Sequence, residues 1–577
     1  MARPNEAVAA LLQEYADLIS ITGGEAFKAR VYEKAARSVA GCPEDVSGLD
    51  AGGLRKLPNV GASIADKIAE YLHTGRVAAV DELRTEVPAG VLELTRIPTL
   101  GPKRAMTLYE DLGVTSIEEL RDSIQAGKLE GHRGFGARAA ENILHGIALL
   151  EGGQGRALLS VATEAADEIV AALSAVTGCR RCTSAGSLRR MRETVGDIDV
   201  LAAAERSAPV MDAFVALPMV QEVIAHGSTK SSVRIGGGLQ VDLRVVKPAA
   251  WGAALQYFTG SKPHNVRTRE IALRRGLKLS EYGLFRVDDG SLVVADSEER
   301  VYEQLGLPWI PPTLREDRGE IEAAFAGELP EVITERDIRG DLHTHTNLTD
   351  GVSTLEEMVA AARDRGYQYF AITDHAEDMP MQRMTAAKMV QQRQRIHRLA
   401  TPGLTVLHGA ELNIGPDGGV DWEADVLAGF DLCVASVHSH FTQPGDVMTE
   451  RLVRACEHPY VTIIGHPTTR LLGKRPPIEA DLDRVFQAAA RTGTALEVNS
   501  FPDRLDLPDE LILRAKRYGV RFAVNTDAHA AVHLDYLRYG VGTAQRGWLT
   551  VDDVINAWPL SRLRRFIGAK RRVGSRR

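Results

Sequence analysis

The sequence of 577 residues is poor in cysteine, in aromatic residues and in long uncharged stretches. Its five cysteines are too few and too scattered for the disulfide framework of a small secreted protein. No uncharged run approaches the ~18 residues that a membrane-spanning helix needs, and no apolar stretch follows the first residues. We therefore expect a soluble protein of the cytoplasm, associated with the nucleoid and without a membrane partner.

The chain also lacks a basic domain. Its net charge is -8, and acidic residues outnumber basic ones in each of residues 1–150, 151–320 and 321–577. Any contact with nucleic acid must therefore come from local patches. Cys179 and Cys182 have the spacing of a redox or metal-binding pair, but no second pair would complete a four-cysteine zinc site, so we interpret them as ordinary residues of a strand.

Three Gly-bearing turns each precede an amphipathic helix in the first part of the chain. They occupy residues 57–61, 97–101 and 133–136. Such a turn leaves backbone N–H groups free at a helix N-terminus, where they can bind a phosphate without reading a base. The turns resemble helix-hairpin-helix motifs of DNA repair proteins, which implies DNA contacts at Gly61, Gly101 and Gly136. Helix-capping turns without a ligand are the alternative interpretation.

Two aspartates follow a Gly-Ser turn on a predicted strand. Asp197 and Asp199 are two residues apart and therefore share one face of the strand, and Asp242 lies on a later apolar strand. Three neighbouring carboxylates repel one another unless cations bind them. Oxygen ligands suit Mg²⁺ or Mn²⁺, and two such ions can activate a hydroxyl and stabilise a leaving pyrophosphate. An isolated Asp-x-Asp in a solvated loop is the alternative.

These aspartates, with Gly186-Ser187 and the stretch Tyr-Phe-Thr-Gly-Ser at 257–261, resemble the polymerase beta-like, family X DNA polymerases. The resemblance extends from the hairpins to about residue 318. It implies that Asp197 and Asp199 bind both metals, and that Asp242 binds the catalytic metal and helps to deprotonate the primer 3′-OH. It further implies nucleotide contacts from Gly186, Ser187, Arg190, Gly196, Tyr257, Phe258, Gly260, Lys262 and Asn265, and DNA contacts from Lys230 and Arg269.

A local basic patch agrees with this resemblance. The stretch from Lys262 to Lys278 holds six basic residues against one acid, Glu270, which is the charge pattern of a phosphate-binding surface. Lys262 and His264 replace residues that are acidic and aromatic in mammalian relatives. We therefore expect nucleotide affinity and base stacking to differ from theirs.

The resemblance also reaches Lys67, on the helix after the first hairpin. The matching lysine of polymerase beta-like enzymes forms a Schiff base with an abasic sugar, which needs an amine that is partly desolvated or flanked by cations. Lys28, Tyr32 and Lys34 match that pocket in outline, whereas Ser63 stands where a phosphate-binding lysine is expected. A solvated helix lysine without lyase activity remains the alternative.

The C-terminal part contains histidines and acids that mostly follow short apolar runs. In a parallel barrel such positions lie at the C-terminal ends of strands, where active sites form. Imidazoles mixed with carboxylates suit Mn²⁺, Zn²⁺ or Fe²⁺. The set resembles the polymerase and histidinol phosphatase (PHP) domain, which implies three metals held by His343, His345, Asp350, His375, Glu411, His440, His466, Asp527 and His529. Leu348-Thr349 departs from the usual Trp-Ser beside the Asp350 ligand.

Together the two resemblances imply a multidomain protein of the α+β and α/β classes. We expect a helical DNA-end-binding domain (1–85), helical fingers (86–150), a nucleotidyltransferase palm (151–248), a thumb (249–318), a linker (319–339) and a distorted (β/α)7 PHP barrel (340–577). The basic tail from residue 561 is interpreted as a last helix with a solvated end, with a DNA contact as the alternative.

The implied function is short-gap DNA synthesis from dNTPs on gapped or primed DNA, combined with 3′→5′ exonuclease action, in base-excision or end-joining repair by a monomer. One alternative is a phosphoesterase that trims 3′ ends or cleaves abasic sites, with the polymerase half acting as a DNA clamp. The other is a non-catalytic scaffold that holds DNA ends.

Overall fold

The computed structural model describes residues 4–129 and 156–574, apart from residues 23, 41, 43, 88, 96, 98–99, 378–383 and 400. Between residues 130 and 155 it describes residues 135, 140, 143, 144 and 147. The third predicted hairpin, with Gly136, lies outside the described residues.

The N-terminal part is helical and shares one hydrophobic core. Its α-helices are Pro4–Ile21, Ala26–Ala40, Ala51–Leu54, Ala62–Thr74, Ala78–Glu86, Ala89–Thr95, Pro102–Leu112 and Ile117–Gln125. Apolar residues at helical spacing face this core, for example Ile64 and Ile68. The helix after the first hairpin begins after Gly61 and ends at Gly75, whose positive φ of 72° a glycine adopts without strain. The predicted helical hairpin domains are confirmed.

The next part is a mixed sheet with helices on its faces. Its strands are β1 Ala157–Leu158, β2 Cys179–Ser184, β3 Thr194–Val195, β4 Asp197–Ala204, β5 Val220–His226, β6 Lys230–Ile235 and β7 Gln240–Val246, and its helices are Leu159–Ser174, Gly186–Arg189 and Ala208–Val215. The main sheet has the order β2-β4-β7-β6-β5, in which β4 and β7 are parallel. Cys179 and Cys182 are free thiols on β2, as predicted for ordinary strand residues.

Both faces of β4 are covered, which explains its apolar sequence. Ile198 and Val200 belong to the core under helix Leu159–Ser174, whereas Leu201 and Ala203 pack with Trp251 on the opposite face. Because side chains alternate along a strand, Asp197 and Asp199 lie on the Trp251 side, at the beginning of β4.

The thumb follows with helices Trp251–Thr259, Lys262–Arg274 and Glu298–Gln304 and with strands β8 Leu277–Ser280, β9 Gly283–Arg286 and β10 Leu292–Val294, which form an antiparallel sheet in the order β10-β9-β8. The segment 319–339, predicted as a linker, is packed against the parts of the chain on either side of it. Helix Glu320–Ala326 buries Ile321 and Ala324 in the thumb core, and Ile333 and Ile338 belong to the core of the next domain. Leu329 and Val332 also pack against the thumb core.

The C-terminal part is a barrel of seven parallel strands: β11 Gly340–Asp341, β12 Tyr369–Ile372, β13 Thr405–Asn413, β14 Leu432–Ser436, β15 Val461–Ile464, β16 Ala495–Asn499 and β17 Arg521–Asn525. They follow sequence order, and a parallel bridge between Thr344 and Ala528 joins the ends of the first and last strands. The described helices around them are Leu355–Asp364, Ala386–Arg398, Ala424–Leu427, Gly445–Glu457, Leu482–Thr492, Asp509–Lys516, Leu537–Arg546 and Leu560–Gly574. This confirms the predicted (β/α)7 barrel.

The basic tail forms the last of these helices. Leu563 and Ile567 on it are buried against the barrel, and Lys570 is 3% exposed. Residues 575–577 lie outside the described part. No helix among the described residues is both long and apolar enough to span a membrane.

Candidate active sites

The palm carboxylates meet at neighbouring positions of two parallel strands. Asp199 on β4 pairs in register with Asp242 on β7, and Asp197 precedes it by two residues. One oxygen of each lies within 4.8 Å of the others. Burial, together with the negative charges of Asp197 and Asp242, raises the pKa of Asp199 to about 7. An all-oxygen site with this excess of negative charge suits Mg²⁺ or Mn²⁺.

The Gly-Ser turn lies directly beside this site. Gly186 has a φ of +59°, and a Cβ atom there would lie 2.1 Å from Oδ2 of Asp199. The Ala185 N–H donates to the Asp199 carbonyl oxygen at 2.8 Å, which ties the turn to β4. Ser187, the second residue of the short helix Gly186–Arg189, is half-buried, and Gly196 lies half-buried just before Asp197. A side chain larger than hydrogen at position 186 would displace a candidate metal ligand.

Lys230, predicted to contact DNA, and Arg190, predicted to contact the nucleotide, both pair with carboxylates in this structure. Lys230 Nζ lies 2.6 Å from Asp242 Oδ2. Burial opposes ionisation of Asp242, but hydrogen bonds led by Lys230 bring its pKa below the ordinary value. Arg190 Nε lies 3.0 Å from Glu316 Oε1, and its Nη1 donates to the Thr259 carbonyl oxygen. Their phosphate contacts stay predictions.

The predicted nucleotide pocket is formed by two consecutive thumb helices. The rings of Tyr257 and Phe258 meet edge to face with centroids 5.2 Å apart. Asn265 is buried, accepts a hydrogen bond from Gln256 and donates to the Tyr257 carbonyl oxygen. The turn between the helices contains Gly260 at a φ of +69°.

The helix Lys262–Arg274 exposes Lys262 and Arg269, as a DNA or nucleotide contact requires. His264, which replaces an aromatic residue of mammalian relatives, is fully buried, 2.6 Å from Glu320 and 2.9 Å from the Tyr302 hydroxyl. It anchors the segment that was predicted as a linker rather than reaching a base.

The two glycines of the described hairpins are both exposed, at the N-termini of helices Ala62–Thr74 and Pro102–Leu112. No side chain caps either helix, so Gly61 and Gly101 lie where the predicted phosphate contacts require them.

Lys67 lies beside a pair of tyrosines. Its Nζ is 5.7 Å from the ring centroid of Tyr15 and 5.9 Å from that of Tyr32, and it contacts the Ser63 hydroxyl at 3.2 Å. Lys28 lies 5.9 Å from the Tyr15 centroid. The lysine is half-buried among aromatic rings, which agrees with the predicted pocket in outline.

The barrel site is centred on Glu411, which is fully buried. Its Oε2 lies 2.9 Å from His375 Nδ1, 3.4 Å from His343 Nε2 and 3.5 Å from His345 Nε2. Its Oε1 lies 3.1 Å from His466 Nε2. One carboxylate thus connects four histidines from three strand ends, since His343 and His345 both follow β11.

Two aspartates complete the cluster. Asp527 Oδ1 lies 3.2 Å from His345 Nε2, and Asp350 Oδ2 lies 3.4 Å from His375 Nε2 and 3.3 Å from His529 Nε2. Burial opposes ionisation of Asp350, but the charges of His529 and His375 bring its pKa well below the ordinary value. The structure therefore brings together eight of the nine predicted ligands.

His440 is the predicted ligand that the structure does not place in the cluster. It is exposed and has a φ of +54°, and its Nδ1 contacts the neighbouring Ser439 hydroxyl. His438 lies in the cluster instead, with Nε2 3.1 Å from Glu411 Oε1 and Nδ1 2.7 Å from Asn413 Oδ1.

The spacing from the strand ends explains the difference. Four members of the cluster stand two residues beyond the last residue of a strand: His343, His438, His466 and Asp527. His440 stands four residues beyond β14, after the chain has turned into solvent. Counting from the predicted strand end would have identified His438.

Several buried ligand atoms lack hydrogen-bond partners, although burying such an atom costs about 1–3 kcal/mol. They are His343 Nε2, both ring nitrogens of His345, Asp350 Oδ1, His375 Nδ1 and His466 Nδ1. Imidazole nitrogens and carboxylate oxygens that converge without protein partners fit divalent cations such as Mn²⁺, Zn²⁺ or Fe²⁺.

Sequence reasoning missed the residues that orient these ligands. Glu497, fully buried on β16, lies 2.7 Å from His343 Nδ1 and accepts the His466 backbone N–H at 2.7 Å. A carboxylate on the other ring nitrogen fixes the tautomer that presents His343 Nε2 to the cluster. A glutamate inside an apolar strand is the sequence signal that would have identified Glu497.

Comparison with known families agrees with this architecture. Family models match the chain as a helix-hairpin-helix domain at residues 3–77, a SAM-like helix-hairpin-helix tandem at 91–149, a DNA polymerase beta thumb at 254–316 and a PHP domain at 341–501.

Full-length and partial relatives support the same assignment. The DNA polymerase/3′-5′ exonuclease PolX of Bacillus subtilis is 37% identical over 96% of this chain and 98% of its own length. A probable phosphatase of Thermoanaerobacter is 28% identical over 40% of this chain and 95% of its own length. A probable phosphatase of Caldicellulosiruptor saccharolyticus is 32% identical over 33% of this chain and 79% of its own length. This chain therefore belongs to the bacterial family X, polymerase beta-like DNA polymerases that carry a C-terminal PHP domain.

Proposed function

We propose that this chain is a DNA-directed DNA polymerase that fills short gaps, with a metal-dependent 3′→5′ exonuclease in its PHP domain. The observation that carries the proposal is the presence of two separate ligand clusters, one of three aspartates and one of histidines with acids. The Bacillus subtilis relative is named for both activities. Synthesis in base-excision or end-joining repair, by a monomer on gapped or primed DNA, is the setting we propose for them.

For synthesis, Asp197, Asp199 and Asp242 would hold two Mg²⁺ or Mn²⁺ ions, which when bound activate the attacking hydroxyl and stabilise the leaving pyrophosphate. Asp242 accepts the primer 3′-OH proton. The turn at Gly186 and Ser187 presents backbone N–H groups and a hydroxyl to the triphosphate. Arg190 reaches the triphosphate only after it leaves Glu316, from which its Nε is 3.0 Å in this structure.

For hydrolysis, three divalent metals, when bound, supply Lewis-acid activation of water and of the scissile phosphodiester. The chain would hold them with the eight predicted ligands that the structure groups around Glu411 and with His438 in place of His440. Glu497 holds the His343 ring through Nδ1, so that Nε2 stays available. Buried histidines on strand ends keep this geometry rigid.

A second candidate activity is removal of an abasic sugar by Lys67. The position of its amine beside Tyr15 and Tyr32 favours this proposal, because these residues match in outline the pocket in which a lysine attacks a sugar aldehyde. Borohydride trapping with abasic DNA tests it. An adduct in the wild type that disappears in Lys67→Ala, but not in Lys56→Ala, is the expected result.

The polymerase proposal is tested with Asp197→Ala on primed DNA. We expect extension to fall about 100- to 1000-fold, as in other enzymes that lose an electrostatic group of the active site, while 3′ shortening continues at the wild-type rate. Glu205→Ala is the matched control, because Glu205 is an exposed carboxylate just beyond the other end of β4. Extension by Asp197→Ala at the control's rate would exclude the proposed site.

A further inference from the structure

A cleft separates the first helix-hairpin-helix unit from the barrel. Its volume is about 360 Å³. One wall consists of Lys34, Arg37, Pro58 and Asn59, and the other consists of residues 347–352 of the barrel. We call this space the approach cleft.

The barrel wall of the approach cleft carries a metal-ligand candidate. Asp350 lines the cleft and keeps 15% of its side chain exposed, and its partner His529 keeps 24%. By contrast, His343 and His345, deeper in the cluster, are fully buried. The cluster is therefore open on the side of Asp350, toward the approach cleft.

The opposite wall carries two unneutralised cations. Lys34 and Arg37 are three residues apart on helix Ala26–Ala40 and therefore share one face. Neither forms an ion pair with a carboxylate of the described residues. Elsewhere in the same domain Arg76 lies 3.0 Å from Asp81 and Arg84 lies 2.7 Å from Glu14. Two free cations opposite a candidate metal site favour an anionic ligand between them.

The first hairpin belongs to the same wall. Asn59 has a φ of +60°, and its side-chain amide donates to the Ser38 hydroxyl at 3.1 Å, which fixes the hairpin to the helix of Lys34 and Arg37. The resemblance matches Lys34 in outline to the lyase pocket, but in this structure Lys34 lines the approach cleft. The tyrosines Tyr15 and Tyr32 contact Lys67 instead.

We propose that the approach cleft binds the single-stranded 3′ end of DNA on its way to the barrel site, with Lys34 and Arg37 as contacts to its phosphates. The volume lies in the range of small-ligand pockets, about 300–1,000 Å³, which suits one or two nucleotides of a separated strand and not a duplex. This inference rests on the proposed exonuclease and adds how that site selects an unpaired strand.

The test uses the full-length protein with Mn²⁺ and the double variant Lys34→Ala/Arg37→Ala. Two substrates are compared: a labelled single-stranded oligonucleotide, and bis(p-nitrophenyl) phosphate, a phosphodiester too small to need the cleft. We expect KM for the oligonucleotide to rise about tenfold and the salt dependence of binding to weaken by a slope of about 1.4, as for two lost phosphate contacts on a single strand. Turnover of the small phosphodiester should not change.

The matched control is Arg55→Ala/Arg76→Ala, which removes two exposed cations of the same domain that pair with Asp66 and Asp81. An unchanged KM in the Lys34/Arg37 variant would overturn the proposal. An equal loss in primer extension would also overturn it, because the cations would then serve DNA binding in general. If the wild type hydrolyses neither substrate, the proposed exonuclease itself fails, and the cleft proposal fails with it.

Discussion

His438 Nε2 lies 3.1 Å from Glu411 Oε1, inside the histidine cluster of the barrel, whereas His440, two residues later, is exposed. The two histidines follow the same strand, β14, and differ only in their distance from its end. The chain turns after residue 438 and directs His440 to solvent. His440 can therefore serve as a control histidine for the candidate ligand His438.

We predict that His438→Gln lowers the exonuclease rate at least about 100-fold, since loss of a metal-site residue commonly costs 10- to 100-fold or more. His440→Gln should retain activity within a factor of about two. Metal content measured on the purified variants provides a second readout, with fewer bound ions expected only for His438→Gln. Equal losses in both variants would contradict the assignment.

Gly186→Ala should impair synthesis without affecting the barrel. The added Cβ would lie 2.1 Å from Asp199 Oδ2, so the carboxylate must move away from Asp197 and Asp242. We expect at least a tenfold loss of primer extension, with exonuclease activity unchanged. Gly178→Ala is the matched control, because Gly178 also has a positive φ, 95°, but open space around its Cβ position. Equal effects in both variants would attribute the loss to backbone strain alone.

Arg546→Ala should loosen the contact between the polymerase half and the barrel. Arg546 is 3% exposed on its side chain and lies 2.7 Å from both Glu316 and Asp509. Removing it takes one of two arginines from each carboxylate, since Glu316 keeps Arg190 and Asp509 keeps Arg318. We therefore expect a loss of about 2–3 kcal/mol, below the about 3–5 kcal/mol of a buried charge left without any partner. Urea unfolding followed by tryptophan fluorescence measures the loss. Arg562→Ala, which removes an exposed ion pair with Asp552, should cost about 1 kcal/mol or less, and an equal cost in both would contradict the prediction.

Lys570 should make stability depend on pH above neutrality. Burial lowers its pKa from 10.5 to about 8, and its ammonium donates to the Cys456 carbonyl oxygen. Between these two pKa values the unfolded chain binds more protons at this lysine than the folded chain does. The free energy of unfolding therefore rises with pH across that range, and the gain is lost as the pH falls through 8.

Comparison with Lys570→Met isolates this effect. Between pH 7.5 and 9.5 the free energy of unfolding of the wild type should increase by about 2 kcal/mol relative to the variant. Lys474→Met, at an exposed lysine, is the control and should follow the wild-type curve. Parallel curves for the wild type and Lys570→Met would show that the ammonium is not destabilised by burial.

Residue spacing and apolar runs predicted the aspartate site of the palm and the strands of the barrel. Asp197 and Asp199, two apart, share a face, and β7 brings Asp242 into register with Asp199. Apolar runs predicted the parallel strands of the barrel, since such strands are buried on both faces. His466 follows such a run, and the resemblance to the PHP domain implied it as a ligand.

Features that depend on distant packing were not predicted. The segment after residue 318 has no apolar pattern that shows what it packs against, and only the thumb core shows that Ile321 is buried. The contact of Arg190 with Glu316, and of Glu316 with Arg546, joins three parts of the chain that no local pattern relates. His440 was chosen over His438 because residue type alone does not distinguish them.

The most direct test of two independent active sites uses a labelled primer on a one-nucleotide-gapped duplex with Mn²⁺. Wild type, Asp199→Ala and His345→Ala are compared with and without dNTPs. We predict that Asp199→Ala only shortens the primer and that His345→Ala only extends it. A wild type that shortens the primer but never extends it would contradict the polymerase assignment and favour a phosphoesterase that trims 3′ ends.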